Sequence, residues 1–218
     1  RVGSEMCIRY RFNTQLNNIR YRGSTVRIHF ALNGLLEIKG VTKDQMGTVF
    51  SISPSIEYLE RASDSVKYGR LPDNPYVEFT IPSVINPKFA PNGKHVLSAT
   101  VQYAPYHLRG MNWSEELKSQ LKNNVVSVLE NYIPNFSSMI ESSSLLTPVD
   151  LESQFGLTEG NLNHGEMTLD QFMFMRPTIS SAQYKSPIEN LFLCGPGTHP
   201  GGGLHGTNGF NAAKIILK

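Results

Sequence analysis

The residues best suited to chemistry lie near the end of the chain, in LFLCGPGTHPGGGLHGTNGFNAAKIIL (191–217). An apolar stretch runs into a loop with glycines at 197, 201, 202, 203 and 206, and the loop runs into a helix-forming tail. Glycines admit positive φ angles and let a ligand approach the backbone closely. A helix starting at such a loop aims unpaired N–H groups and the positive end of its dipole at whatever binds there, which favours an anion. A Walker A phosphate loop ends in Gly-Lys-Ser/Thr, and no Gly-Lys pair occurs in this segment. A literal G-x-G-x-x-G is present at Gly201, Gly203 and Gly206, but only 12 residues follow it and none is acidic. A dinucleotide fingerprint needs a following βαβ unit and an acid about 20 residues on. The segment therefore reads as a secondary contact, a helix N-terminus closing over part of a cofactor held mainly elsewhere. The alternative is a glycine turn for tight packing.

Other reactive side chains are sparse. The six histidines are scattered. His199 and His205, six apart, do not have a zinc-ligand spacing, and no metal site is expected. His164, in GNLNHGEM beside Glu166, is the candidate acid or base, with a backbone-bonded loop histidine as the alternative. Cys7 and Cys194 are far apart, which excludes a disulfide scaffold. Cys194 ends an apolar run and reads as a small buried hydrophobe. No G-x-S-x-G elbow supports Ser-His-Asp hydrolysis. Residues 1–30 hold six arginines against one acid, Glu5. They read as a solvated edge whose acidic partner lies in a missing part of the chain, rather than as a nucleic-acid or phosphate-binding face, since no nucleic-acid motif accompanies them. The 218 residues are 39% hydrophobic with a net charge of +2, which excludes disorder, and no run of about 18 apolar residues suggests a membrane span.

These residues need elements to position them. TVRIHFALN (25–33), GTVFSIS (47–53), YVEFTIPS (76–83) and HVLSATVQYAPY (95–106) read as strands, the last two paired antiparallel. A helix is expected from Ser53-Pro54 to Gly69, with Ile56, Leu59, Ala62 and Val66 as its stripe. The clearest helix is 113–134, with Ser114 as cap and Leu117, Leu121, Val125, Val128, Leu129 and Tyr132 facing inward. Residues 136–147 read as strand-like. A short helix follows, with Thr147 as cap, Pro148 at its first position and Gly156 as terminator. Residues 190–195 read as a short apolar strand and GFNAAKIILK (209–218) as a helix.

Three stretches together resemble FAD-dependent oxidoreductases of the phytoene desaturase and amine oxidase superfamily, on its phytoene desaturase-like branch. They are IPSVINPKFAPNGKHVLSATVQYAPY (81–106), TPVDLESQFGLTEGNLNHGEMTLDQFMFMRP (147–177) and SPIENLFLCGPGTHPGGGLHGTNGFNAA (186–213). The resemblance implies an α+β fold: a mixed-sheet substrate domain with helices, plus the terminal strand and helix of a Rossmann-type FAD domain whose N-terminal part is absent. It implies a connecting segment at 1–24, a substrate domain at 25–185 and a flavin-site strand, loop and helix at 186–218. By the same resemblance, Gly195 and Pro196 would pass near the cofactor's pyrophosphate or ribityl chain. Gly202, Gly203, Leu204 and His205 would offer backbone N–H groups to the flavin N1/O2 edge, where the reduced ring carries negative charge. Pro196 stands where many relatives have an acid, and His199-Pro200 supplies no aromatic pair, which favours desaturation over amine oxidation.

The activity so implied is oxidation of an apolar or isoprenoid-like small molecule by the flavin. The implied partners include no nucleic acid and leave a peripheral membrane contact open. The compartment expected is the cytoplasm, or alternatively the mitochondrial matrix. The 218 residues alone are expected to hold no FAD and to be inactive. The alternative function is a non-catalytic interaction or regulatory module retaining the flavoprotein fold.

Overall fold

The computed structural model describes residues 2–218, with side chains from Cys7 onward. Its elements are α1 (Val2–Asn17), β1 (Thr25–Leu32), β2 (Phe50–Ile52), α2 (Ile56–Lys67), β3 (Tyr76–Thr80), α3 (Pro82–Ile85), β4 (His95–Gln102), α4 (Glu115–Glu130), α5 (Phe136–Met139), β5 (Ile140–Leu146), α6 (Pro148–Phe155) and α7 (Thr207–Ile216). The fold is mixed α and β, with one antiparallel sheet. No described helix is long and apolar enough to cross a membrane. The chain divides into two compact units: Ser24–Gly156, and Leu157–Lys218 together with the residues up to Gly23.

The first unit is built on the sheet, in the order β2-β3-β4-β1-β5. Alternation along β1 sends Val26, Ile28, Phe30 and Leu32 to one face, all fully buried. Directly paired residues point to the same side, so Leu97, Ala99 and Val101 of β4 and Val77 and Phe79 of β3 extend that face. Leu121, Val125, Val128 and Leu129 of α4 join the same core, as does Phe136, whose ring meets Phe30 edge-on at 5.2 Å. Each such large side chain contributes about 1.5–3 kcal/mol on burial. The helices start as their sequences dictate. Ser55 and Ser114 accept from Tyr58 and Leu117 N–H, and Thr147 and Asp150 cap each other reciprocally at α6. Gly156 ends α6 at φ 68°.

Four local expectations change. The helix expected from Ser53-Pro54 is capped two residues later, at Ser55. Residues 136–139 make one helical turn before β5 begins, because Phe136 turns into the core. Residues 2–17, expected only as a connecting segment, are helical. The strand expected at 190–195 does not form. A strand needs a neighbour along its length, and this stretch has one isolated bridge, Phe192 with Lys185, closing a turn with Leu193 N–H on the Tyr184 carbonyl. With no sheet to bury it, Cys194 is exposed rather than buried.

Candidate functional site

The glycine loop lies in the second unit and is held by three side chains. The Asn208 side-chain nitrogen, at the start of α7 and 6% exposed, sits among five oxygens. They are the carbonyls of Gly195 (2.8 Å), Thr198 (3.0 Å), His199 (3.2 Å) and Gly201 (3.2 Å) and the Thr198 hydroxyl (3.2 Å). Only a donor suits that ring of acceptors, which fixes the amide orientation. Tyr184 donates its hydroxyl to the His199 carbonyl at 2.9 Å and accepts from Asn211. Arg176, 3% exposed, donates to the Pro196 carbonyl at 2.7 Å.

Arg176 forms the larger scaffold. Its remaining bonds go to the carbonyls of Gln171, Asn163, Gly165 and Glu166. All are neutral oxygens, and burial pulls its pKa down. The fork of five N–H groups thus ties the 163–171 loop to the turn at Pro196. Residue patterning alone does not mark Arg176, Asn208 or Tyr184 as scaffold. An arginine embedded in the apolar run MFMRP was the one available signal.

The expected contact residues fall as follows. Gly195 has φ 109°, and its carbonyl is engaged by Thr198 and Asn208. Gly203 has φ 132°, and a Cβ there would lie 2.8 Å from the His205 ring. That approach lets His205 fold back and accept the Thr207 N–H through Nδ1 at 3.1 Å, while Gly206 is the N-cap of α7 and the helix has no side-chain cap. A Cβ on Gly202 would lie 2.6 Å from Asn163 Oδ1. Among the described residues, the N–H groups of Gly202, Gly203, Leu204 and His205 have no acceptor, and the last three residues are exposed. His199 Nδ1 is buried without a partner. A consecutive run of open N–H groups just ahead of a helix fits an anionic or hydrogen-bond-accepting cofactor edge.

His164 and Glu166 are not brought together. His164 is exposed at φ 52°, packed beside Gly197, whereas Glu166 is bound by Arg22 and lies 3.5 Å from Arg20 Nε. Arg20 also grips Asp170 at 2.6 Å, and that hydrogen bond holds the Asp170 carboxyl below its ordinary range. Arg20 and Arg22 therefore have their acidic partners within this chain and not, as expected, in a missing part of it; Arg1 lies outside the described residues. Among the described residues, no group of three or more His, Cys, Asp or Glu could hold a metal.

No family model matches the chain. It is 42% identical over 161 residues to pyridine nucleotide-disulfide oxidoreductase domain-containing protein 2 of Rattus norvegicus, covering 73% of this chain and 28% of that protein. It is 31% identical over 142 residues to a 4,4'-diapophytoene desaturase of Staphylococcus aureus, covering 62% and 27%. It is 26% identical over 197 residues to a lycopene-forming phytoene desaturase of a Paracoccus species, covering 89% and 36%. The chain thus spans roughly a third or less of these relatives' length.

Proposed function

The chain is a homologue of the phytoene desaturase-like oxidoreductases, and from that premise we propose that it is the C-terminal part of an FAD-dependent oxidoreductase of desaturase or dehydrogenase type. The observation that carries this reading is the run of open N–H groups from Gly202 to His205 just ahead of α7. The bound FAD would supply the hydride acceptor. The chain's own residues would bind and orient it. Gly195 and Pro196 would line its path, and Gly202, Gly203, Leu204 and His205 would donate to its electron-rich edge. Asn208, Tyr184 and Arg176 would hold the loop that presents those donors, so that no reorganisation is needed when negative charge develops. His205 accepts the Thr207 N–H through Nδ1 while its own main-chain N–H stays open. The substrate in this reading has an apolar body, as the names phytoene desaturase and diapophytoene desaturase suggest. The 218 residues alone would hold no flavin, because the principal nucleotide contacts would lie outside them.

The test is flavin content. A longer parent chain containing these residues should purify with visible flavin absorbance. Gly203→Val should remove most of it, because a side chain there meets the His205 ring and strains a backbone at φ 132°. A parent that folds without flavin would defeat the reading and favour an interaction module instead.

A further inference from the structure

A cavity of about 560 Å³, within the size range of small-molecule sites, shares no lining residue with the glycine loop. It lies wholly in the unit made of Leu157–Lys218 and the residues up to Gly23. One wall is a face of α1, where Ile8, Arg11, Phe12 and Gln15 recur at i, i+3, i+4 and i+7 and so stand on one side of the helix. The other wall is the loop 179–187. On that wall Ser181 is 2% exposed, and its hydroxyl has no hydrogen-bond partner among the described residues. Its neighbours differ: Ser180 shares a hydrogen bond with the Thr178 hydroxyl at 3.0 Å, and Ser186 donates to the Ile188 carbonyl at 3.1 Å. Buried hydroxyls are nearly always bonded, so an unused one on a cavity wall leaves a place for a ligand atom.

The charges and the apolar groups select the ligand. Arg11 and Lys185 make no ion pair among the described residues, and the described lining includes no carboxylate. Two positive charges with no acid beside them favour a dianion. A phosphate monoester carries about 1.5–2 negative charges at pH 7 and three strong acceptor oxygens. Those oxygens match the fork of Arg11, the point charge of Lys185 and the Ser181 hydroxyl, whereas a carboxylate would leave one cation unmatched. Ile8 and Ile179 are 55% and 68% exposed, and covering them with an apolar body would remove that surface from water. We propose that this cavity binds a phosphate monoester with an apolar body, its head group held by Arg11, Lys185 and Ser181 and its body by Ile8, Phe12 and Ile179. The same head group occurs in soluble monoesters and on membrane lipids. Two cations fall short of the cluster of about four to eight that docks a membrane surface, so the ligand is a single molecule taken from solution. The proposal does not rest on the oxidoreductase reading.

Calorimetric titration of the full parent chain with octyl phosphate, octanoate, octanol and inorganic phosphate tests it, with flavin absorbance recorded on the same samples. Octyl phosphate should bind saturably, one per chain, at least tenfold more tightly than the other three. Arg11→Gln and Lys185→Gln, both at exposed positions, should each weaken it at least fivefold and leave octanol unchanged. Phe12→Ser should weaken octyl phosphate and leave inorganic phosphate unchanged. Ser181→Ala should weaken octyl phosphate two- to fivefold, and the exposed Arg11 and Lys185 variants keep the test decisive if this buried variant fails to fold. Octanol or octanoate binding as tightly as octyl phosphate, inorganic phosphate binding equally well, or no response to Arg11→Gln and Lys185→Gln would overturn the proposal. Binding to phosphatidic acid vesicles without binding to monomeric octyl phosphate would assign the cations to a membrane surface and overturn it too. So would release of flavin by octyl phosphate, which would make the cavity part of the flavin site. A parent without flavin that still binds octyl phosphate defeats the oxidoreductase reading and keeps this site.

Discussion

The two units are held together by different means. Among the described residues, all the buried hydrophobic side chains but Tyr184 and Ala212 belong to Ser24–Gly156. In the other unit the buried residues are mostly polar: Arg176, Thr178, Ser181, Thr198 and Asn208. The first unit is an ordinary apolar core between a sheet and helices, stabilised by area removed from water. The second is a set of loops whose carbonyls converge on one guanidinium and one amide. Apolar burial tolerates small shifts, whereas a buried donor ringed by acceptors fixes positions closely and is costly to break. A scaffold of the second kind holds the loop from Gly195 to Gly201 in one conformation while the N–H groups after it stay open.

Substitutions can break that contrast, in order of expected effect. Phe30→Ala should cost about 3–5 kcal/mol in global stability by leaving a cavity against Phe136. Chemical denaturation should show it as a shift in midpoint. Arg176→Met should cost about 3 kcal/mol by stranding buried carbonyls, and hydrogen exchange should locate the damage in 157–218 rather than in the sheet. Equal loss of protection in both units would erase the distinction. Asp150→Asn should cost about 1 kcal/mol at neutral pH, because it weakens the cap of α6 and the 3.1 Å contact with Lys118. Burial opposes ionisation of Asp150, but hydrogen bonds from Thr147 and Lys118 outweigh it and lower its pKa. With the folded value below the unfolded one, its contribution is full above about pH 4 and is lost as pH falls through the folded pKa. The acid limb of the native stability curve should therefore be steeper than that of Asp150→Asn.

Much of the first unit could be read from residue spacing. The stripe Leu121, Val125, Val128 and Leu129, the alternation of β1, β3 and β4, and the Thr147, Pro148 and Gly156 signals around α6 are local patterns, and local geometry follows from them. The sharp turns of the glycine loop were equally legible, since glycine spacing advertises backbone that must take positive φ angles, as Gly195, Gly201, Gly203 and Gly206 do. The resemblance to flavoproteins added the oxidoreductase kinship that the 42% identical relative supports.

The sequence by itself therefore determined where the elements of the sheet unit lie and which loop has open backbone. Tertiary structure alone decided what has no local signature. The order β2-β3-β4-β1-β5 depends on which strands meet, and the absence of a strand at 190–195 depends on which do not. The roles of Arg176 and Asn208 depend on carbonyls from distant segments converging on one donor. Arg20 and Arg22 looked unpartnered until Glu166 and Asp170 were brought to them from about 145 residues away in the chain. The physical reason is common to all four. Periodicity reports the direction a side chain leaves its own backbone, and it carries no information about what distant backbone or charge will be waiting there.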